Sequence, residues 1–383
     1  MPYIPDIATA IPPFALSNQD VFKFYSKVLE HKGAHNLIDK LQGIITHSKI
    51  SNRYSCLPDF YSKTYELFAP DNYEPFVDER LRLFREKIVP LSIKVIDQLL
   101  FRTHVAAKQI THIITVTCTG LIAPGLEFHL AEHYKLHHAE KLSLNFLGCY
   151  AALKAIQQAN HIATANPNAC ILIVCAELSS LHFNTSTSME DIIANLLFSD
   201  GAAALLVCGN KSPIHANRPC YQIDNIGGVS IPGTLDQMKW SVTATSFRMY
   251  LSREIVSSLR TNIKSAIDDF LDGEESDFDY WAIHPGGIRI VEAVQDALQL
   301  SDEKINDSLA VLRNYGNMSS PTILFIIKNI FTKIGMSRKA TNKIFSCAFG
   351  PGLNVEMMQL SPLIKSGTSR KKTSMYVTQE QNI

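Results

Sequence analysis

The sequence lacks the features that mark nucleic-acid-binding proteins and disulfide-stapled domains. Its 36 basic and 36 acidic side chains cancel to a formal charge of zero, which leaves no strongly positive field for a polyanion. Its 8 cysteines include no CxxC pair, so a zinc ribbon and a thioredoxin-type motif are both absent. At 383 residues, with 46% hydrophobic and 19% charged side chains, the chain is too long and too apolar to be mainly disordered.

Long hydrophobic runs and a secretory leader are also missing. The apolar run over residues 322–331 is broken by Lys328 and is far shorter than the roughly 20 residues of a membrane-spanning helix. Residues 1–13 contain no basic segment followed by a long apolar one, as a signal peptide would. Cys170 and Cys175 lie in an apolar run, where a free thiol serves as a small hydrophobe. We therefore expect a soluble cytoplasmic protein in a reducing compartment.

Short apolar runs alternate with helical stretches. Runs bounded by Gly, Asn or Pro predict buried strands at residues 112–120, 142–148, 169–177 and 201–209. Residues 149–166, rich in Ala and Gln, predict a helix that ends before Pro167, because a proline cannot continue it. Strands alternating with helices indicate an α/β fold around a buried sheet.

The second half repeats this rhythm. Predicted helices lie at residues 252–272, 288–299, 301–313 and 319–335, and Ser252 is the predicted cap of the first. A strand at 279–285 and two strands within 343–360, joined at Gly350-Pro351-Gly352, complete the pattern. Two halves of similar rhythm indicate a duplicated α/β unit. The polar sequence after Lys365 predicts a mobile tail.

Cys149 is the first candidate for chemistry. It follows the predicted buried strand at 142–148 and opens the next helix, and Gly148 permits a sharp turn between them. A thiol at a helix N-terminus meets unpaired backbone N–H groups and the positive end of the helix dipole, and both favour the thiolate. The alternative is that Cys149 fills the core, as Cys170 does.

His284 and Asn317 are the other two candidates. His284 ends a predicted strand and precedes a Pro-Gly-Gly turn, where α/β folds place ligand-facing groups; a hydrogen-bonded strand-end histidine is the alternative. Asn317 lies between Gly316 and an apolar helix, where a turn or N-cap residue is equally expected. A Cys, His and Asn set serves either a cysteine hydrolase or a condensing enzyme, in which His and Asn donate to a thioester oxygen.

A histidine-rich stretch carries His129, His133, His137 and His138. The spacing is typical of metal sites, but no cysteine ligand or paired carboxylate motif accompanies it. We therefore predict a helix surface or dimer contact at this stretch, and no metal site.

Four motifs resemble the signature of the type III polyketide synthases, the chalcone synthase-like family. They are Gly148-Cys149-Tyr150-Ala151, Ile283-His284-Pro285-Gly286-Gly287, Tyr315-Gly316-Asn317-Met318-Ser319-Ser320 and Phe349-Gly350-Pro351-Gly352-Leu353. Further matches lie at residues 117–125 and 197–203. The resemblance runs from about residue 4 to residue 362, and the motifs read more like bacterial than plant members.

The resemblance implies a thiolase fold, in which two pseudo-symmetric α/β halves form five layers, αβαβα, and work as a homodimer. It implies an N-terminal half with the nucleophile at residues 1–230, a C-terminal half with the histidine and asparagine at 231–365, and a mobile tail at 366–383. Acyl-CoA and malonyl-CoA would be the substrates, and neither a metal nor a redox cofactor would be needed.

The resemblance also implies roles for individual residues. Cys149 would be the nucleophile, His284 and Asn317 would complete the catalytic triad, and Phe198 would separate an acyl tunnel from the cavity. The matches to cavity-lining positions are Cys118, Thr119, Ser179, His182, Trp240, Met249 and Ser319, with the cavity floor at Gly350, Pro351 and Gly352. The basic candidates for CoA contacts are Lys40, Lys49 and Arg53.

The implied reaction begins on Cys149, held as a thiolate by an imidazolium at His284, which takes up an acyl starter. Malonyl units then lose CO₂ and condense repeatedly, with His284 and Asn317 as donors to the enolate oxygen. The poly-β-keto chain would cyclise to a pyrone, a resorcinol or a similar aromatic product.

Four positions depart from plant members of the family. Met249 stands in place of a second gatekeeping phenylalanine, and Trp240 in place of a small glycine. Ala348 replaces the first glycine of the last motif, and Ala123 replaces a methionine that reaches into the partner's cavity. These changes bear on the cavity volume and the product rather than on the chemistry.

Three other interpretations are open. A ketoacyl-ACP synthase III also uses Cys, His and Asn, but its motifs usually read HQAN and GNTS where this chain has HPGG and GNMSS. A cysteine hydrolase of thioesters or amides would carry a hydrolase motif near Cys149, and none is found. A non-catalytic binding paralogue would not need all three candidate residues.

Overall fold

Strands and helices alternate through the chain in the computed structural model, which describes residues 1–62, 64–214, 220–273, 277–336 and 342–363. The predicted tail at 366–383 lies outside the described residues. The strands are β1 (Tyr3–Ile4), β2 (Ile7–Ala10), β3 (Phe14–Ser17), β4 (Asn52–Ser55), β5 (His112–Thr117), β6 (Glu140–Asn145), β7 (Cys170–Leu178), β8 (Asp200–Cys208), β9 (Tyr221–Ser230), β10 (Met238–Val242), β11 (Phe247–Leu251), β12 (Tyr280–Ile283), β13 (Ile344–Gly350) and β14 (Asn354–Pro362). The helices are α1 (Asn18–His31), α2 (Ile38–His47), α3 (Val77–Thr103), α4 (Leu126–His133), α5 (Ala151–Ala165), α6 (Met189–Leu197), α7 (Ile255–Phe270), α8 (Ile288–Leu298), α9 (Asp302–Tyr315) and α10 (Pro321–Met336).

Among the described residues, ten strands form one mixed sheet. Its order is β12-β13-β14-β9-β1-β8-β7-β5-β6, and β2 also pairs with β8. The pairs β5–β6, β5–β7 and β12–β13 are parallel. The strands β7, β8 and β13 are buried along their whole length, as near-continuous apolar runs predict.

Helices cover the sheet in layers. α5 and α10 lie in a core that also takes side chains from strands of both halves. α1 and α3 pack on the outer face of the β7–β8 part, while α7 and α8 pack on the outer face of the β13–β14 part. Along β7, Leu172 and Val174 enter the outer core while Ile171 and Ile173 enter the central one, as strand geometry requires. The five-layer αβαβα arrangement is therefore confirmed.

The N-terminal strand joins the two halves. β1 lies between β8 and β9 and pairs with both in antiparallel fashion. β9 in turn pairs with β14 along most of its length, so its hydrogen bonds tie it to the second half, although the predicted division after residue 230 assigns it to the first. The division itself stays a prediction.

Two local predictions are wrong. The strand before Cys149 is not buried: β6 is the last strand in the sheet order, and Leu142 is 39% exposed, because an edge strand has a neighbour on one side only. Helix α7 begins at Ile255 rather than at a cap on Ser252. Ser252 Oγ instead accepts the N–H of Glu254 at 3.2 Å, which closes the turn before the helix.

Within the described ranges, neither a metal-binding cluster nor a membrane-crossing helix is found. No group of three or more His, Cys, Asp or Glu side chains there is arranged to hold a metal ion, and no helix has both the length and the apolar character to span a bilayer. His129 and His133 are exposed on α4, and His137 and His138 are exposed beyond it. The histidine-rich stretch is therefore a surface feature.

Candidate active site

Cys149 lies in a tight turn between β6 and α5. The backbone turns sharply at Phe146 and Gly148, with φ of 60° and 77°, and a short 3₁₀ turn at Gly148–Tyr150 leads into the helix. A Cβ on Gly148 would lie 2.5 Å from Cδ of Pro351. Glycine is therefore required at position 148 twice, once for its positive φ and once for the close approach of Pro351.

Asn317 is fixed by backbone pairing to the segment after α6. Its N–H donates to the carbonyl of Leu197 at 3.0 Å, and its carbonyl accepts from the N–H of Ser199 at 2.9 Å. The side-chain oxygen accepts the N–H of Ser319 at 2.8 Å, so the amide nitrogen is the group left to donate to a ligand. The amide oxygen and nitrogen both lie 4.0 Å from Sγ of Cys149.

His284 directly follows β12. Its N–H donates to the carbonyl of Cys347 at 2.9 Å, and its carbonyl accepts from Gly286, so its backbone is held while its imidazole is not. The residue is fully buried, and neither ring nitrogen has a hydrogen-bond partner among the described residues. Unpaired buried polar groups are rare in folded proteins and often mark functional positions.

A single cavity of about 790 Å³ brings the three candidates together. Cys149, His284 and Asn317 all line it, from three separate turns of the chain. Phe198 and Met249 also line it, together with apolar side chains of α6 and α7. Ser319, whose hydroxyl lies 3.7 Å from Sγ of Cys149, adds a polar neighbour to the thiol. A mostly apolar cavity with a few convergent polar groups is the usual form of a small-molecule site.

Burial opposes charge on both titratable groups of this set. It raises the pKa of Cys149 to about 12, with a further contribution from the Glu177 carboxylate, and lowers the pKa of His284 to about 3. This is opposite to the thiolate and imidazolium expected from the helix N-terminus. The desolvation of a fully buried site outweighs the partial charges of the helix end, so the resting site holds a thiol and a neutral imidazole.

Glu177, which the sequence analysis missed, is a buried carboxylate behind Cys149. It accepts hydrogen bonds from the hydroxyl of Thr119 at 2.9 Å and from the hydroxyl of Ser320 at 2.7 Å. It therefore ties the first half of the chain to the segment that carries Asn317. Burial raises its pKa despite these bonds. An acidic residue ending the apolar run of β7 was the signal available in the sequence.

Two predicted cavity residues lie behind the cavity rather than on its surface. Cys118 Sγ accepts the N–H of Gly148 at 3.0 Å, and Thr119 donates to Glu177; neither lines the cavity that contains Cys149. Their side chains are turned to these buried partners, because an unpaired polar group in the core is costly. Cys118 and Thr119 thus support the turn of Cys149.

The Gly350-Pro351-Gly352 segment also lies beneath that turn. A Cβ on Gly350 would lie 2.3 Å from the ring of Tyr150, and Gly352 has φ of 70°. The two strands β13 and β14 meet at this segment, as predicted. Only its neighbour Phe349 lines the cavity among the described residues nearby, so the predicted floor supports Cys149 from below rather than facing the cavity.

A second, smaller cavity of about 60 Å³ lies on the other side of Phe198 and Met249, which line both cavities. Three other predicted residues, Ser179, His182 and Trp240, line the smaller one. Trp240 Nε1 donates to the carbonyl of Cys118 at 2.9 Å. Its side chain is therefore fixed in the position where the family resemblance places a small glycine.

His182 is held on every side. Nε2 donates to the carbonyl of Thr119 at 2.7 Å, and Nδ1 accepts the N–H of Phe247 at 3.0 Å. The ring stacks on that of Phe247 with centroids 4.3 Å apart and planes at 8°. Burial lowers the pKa of His182 to about 3. The imidazole is thus a neutral, rigid part of the cavity wall.

The predicted CoA contacts separate into three different positions. Lys40 is exposed and lines the large cavity, whereas Lys49 is exposed without lining it. Arg53 is 2% exposed and lines the small cavity instead, so the prediction of a CoA contact is wrong for this residue: its side chain is buried under the segment that leads to Phe198. Two exposed arginines that were not predicted, Arg253 and Arg289, line the large cavity.

Comparisons with known proteins agree with this site. Family models described as chalcone and stilbene synthases match the chain twice, the N-terminal domain over residues 3–211 and the C-terminal domain over residues 227–364. Polyketide synthase 37 of Dictyostelium discoideum is 29% identical over 371 residues, which cover 94% of this chain but 12% of that protein. The chain therefore spans only a small part of that relative.

Solved structures match over nearly their whole length. PKS-I from the brown alga Ectocarpus siliculosus is 30% identical with a TM-score of 0.87, over 94% of this chain and 98% of that chain. The C-terminal type III polyketide synthase domain of Steely1 from Dictyostelium is 25% identical with a TM-score of 0.84, over 95% and 99%.

The chain belongs to the chalcone and stilbene synthase family. By fold and family it is a type III polyketide synthase, an acyltransferase with the thiolase fold. The resemblance drawn from four short motifs is confirmed.

Proposed function

We propose that Cys149, His284 and Asn317 carry out decarboxylative condensation of malonyl-CoA onto an acyl starter. The observation that carries this proposal is the shared cavity: a thiol, an imidazole with both nitrogens unpaired and an asparagine amide line the same largely apolar space. Such a space excludes water, which protects a reactive thioester from hydrolysis.

Loading of the starter is the first step. Sγ of Cys149 attacks the thioester carbon of the acyl-CoA, and its proton passes to His284. The bond from the acyl carbon to the CoA sulfur breaks, and the CoA thiolate takes that proton as it leaves. Because both groups rest in the neutral form, the two charges arise together, as an ion pair, when the substrate fills the cavity.

Extension follows in the same cavity. Malonyl-CoA loses CO₂, and the electron pair of the broken carbon–carbon bond becomes an enolate on the thioester. His284 and Asn317 donate hydrogen bonds to the enolate oxygen, as in other sites that stabilise an oxyanion. The enolate carbon attacks the acyl carbon on Cys149, the thiolate leaves, and the chain is longer by two carbons. Repetition and cyclisation would give a pyrone, a resorcinol or a similar aromatic product.

CoA would reach the cavity from its basic rim. Lys40 and Arg289 are exposed and line the cavity, as point charges or forks for phosphate should be. Arg253 also lines it but lies 3.4 Å from Glu190, so part of its charge is already matched. Lys49 keeps its predicted role near this rim. Acyl-CoA and malonyl-CoA supply the acyl groups and the driving force, so no further cofactor is required.

The active molecule would be a homodimer. β6 is the last strand in the sheet order, and Leu121, Phe128 and Leu142 near it are 47%, 51% and 39% exposed. An exposed edge strand beside large apolar side chains is a surface that proteins usually cover. The molar mass by light scattering should be twice that of the chain. A free thiol nucleophile also fits the predicted cytoplasm, where thiols stay reduced.

One experiment separates this function from its rivals. Purified protein is incubated with radiolabelled malonyl-CoA and a panel of acyl-CoAs, and extended products and CO₂ are measured. Extension is expected with the wild type and with Cys175→Ala, a control at a buried thiol that lines neither cavity. Cys149→Ala should abolish it. Release of free acid without extension would favour a hydrolase, and use of ACP donors alone would favour a ketoacyl-ACP synthase III.

A further inference from the structure

Arg53 is a buried cation without a carboxylate partner. Nε donates to the carbonyl of Leu196 at 2.5 Å, and Nη1 donates to Oδ1 of Asn18 at 2.9 Å. Nη2 is buried and has no hydrogen-bond partner among the described residues. Burial lowers the pKa of Arg53 to about 10, which leaves the guanidinium charged at neutral pH. Buried charges are ordinarily paired, so the free Nη2 group indicates a missing anion.

The small cavity next to Arg53 has room for such an anion. Its volume is about 60 Å³, and each water-sized position takes roughly 10–15 Å³, so a carboxylate fits. No acidic side chain is found among its described lining residues. The anion that neutralises Arg53 must therefore come from outside the described chain.

A second donor lines the same cavity. The hydroxyl of Tyr25, a residue 1% exposed, accepts from Nδ2 of Asn195 at 2.8 Å. That leaves its own hydrogen for a ligand oxygen. Burial raises the pKa of Tyr25, so the group stays protonated and acts as a donor. Arg53 and Tyr25 together offer two donors of the kind that a carboxylate prefers.

The cavity is within reach of a chain attached to Cys149. Phe198 and Met249 line both cavities, so a slender acyl group need pass only between these two side chains. A Cβ on Gly316 would lie 3.4 Å from Cγ of Arg53, which places the stem of the arginine directly under the residue before Asn317. Asn317 in turn lies 4.0 Å from the thiol.

We propose that the small cavity binds the distal carboxylate of a dicarboxylic acyl starter, with Nη2 of Arg53 and the hydroxyl of Tyr25 as its donors, while the other end is loaded on Cys149. The proposal rests on the proposed function, because it requires Cys149 to carry the starter. A monocarboxylic starter of the same length buries its methyl end against an unpaired charge and loads more slowly.

Starter loading tests the proposal without any malonyl-CoA. The rate of acylation of Cys149 is measured by intact-protein mass spectrometry, with succinyl-CoA and glutaryl-CoA against butyryl-CoA and valeryl-CoA. A hydrogen bond to a charged group contributes enough for a preference of about 10- to 100-fold for the dicarboxylic starters. Arg53→Met should bring this ratio near one, and Tyr25→Phe should lower it severalfold. Tyr250→Phe, at an exposed tyrosine that lines neither cavity, should leave it unchanged.

Each outcome decides the matter. Equal loading of both starter classes by the wild type would overturn the proposal, whatever the variants do. An unchanged ratio in folded Arg53→Met would overturn it as well. If Arg53→Met does not fold, an unchanged ratio in Tyr25→Phe has the same consequence. A wild type that no acyl-CoA acylates would instead refute the proposed function itself, and the two failures are therefore distinguishable.

Discussion

The two cavities share the wall of Phe198 and Met249 but treat their polar groups in opposite ways. In the large cavity, His284 is fully buried with both ring nitrogens unpaired. In the small one, His182 is equally desolvated, yet both of its nitrogens are hydrogen-bonded. Leaving a buried polar group unpaired costs about 1–3 kcal/mol. The fold tolerates that cost only where a substrate supplies the missing partner, which teaches that unsatisfied groups, rather than histidines as such, mark the reacting site.

Asn317→Ala breaks this comparison most strongly. It removes a donor to the enolate oxygen but leaves the thiol in place. Condensation should fall on the order of 10²–10³-fold, measured as malonyl-dependent product under saturating substrates, while acylation of Cys149 persists. Asn225→Ala, at an exposed asparagine on β9, is the control and should keep its rate. Equal rates in the two variants would remove Asn317 from the site.

Gly148→Ala tests the support beneath the large cavity. A methyl group there meets Cδ of Pro351 at 2.5 Å on a backbone with φ of 77°. The left-handed conformation and the overlap together should lower the free energy of unfolding by about 3 kcal/mol, measured by urea denaturation. Gly335→Ala, with nothing near its Cβ in α10, should be neutral or stabilising. Similar losses in both would show that the turn is not tightly packed.

Acid should destabilise the protein through both histidines despite their different partners. Burial lowers the pKa of His182 and of His284 to about 3. The unfolded chain takes up a proton below about pH 6.5 while the folded chain does not, so stability falls as the pH falls. At pH 5 the loss is about 2 kcal/mol for each histidine. In denaturation at pH 7 and pH 5, His182→Asn and His284→Asn should each show that much less loss; a wild-type pH dependence in both would contradict the desolvation argument.

Trp240→Phe gives the smallest expected effect. It removes the hydrogen bond from Nε1 to the carbonyl of Cys118 and should lower stability by about 1 kcal/mol, seen as a small shift in thermal unfolding. It also enlarges the small cavity without touching the unpaired groups of the large one. Starter loading should therefore continue at the wild-type rate. A large loss of loading would show that the two cavities do not work separately.

The strands, helices and triad were predictable, because apolar runs and short motifs are local. The duplicated α/β pattern gave five layers, and Cys149, His284 and Asn317 meet as expected. The position of Arg53 was not predictable, since a basic residue in a polar stretch looks exposed until tertiary packing buries it. The charge state of Cys149 was also missed: a helix N-terminus is visible in sequence, but the burial that outweighs it is not.

The account stands most directly on which sulfur carries the acyl group. Wild-type protein is incubated with an acyl-CoA starter alone, digested, and its peptides are analysed by mass spectrometry. The account predicts an acyl group on the peptide that contains Cys149, its disappearance when unlabelled malonyl-CoA is added, and its absence in Cys149→Ala. Acyl label on another of the 8 cysteines, or extension that persists in Cys149→Ala, would contradict it.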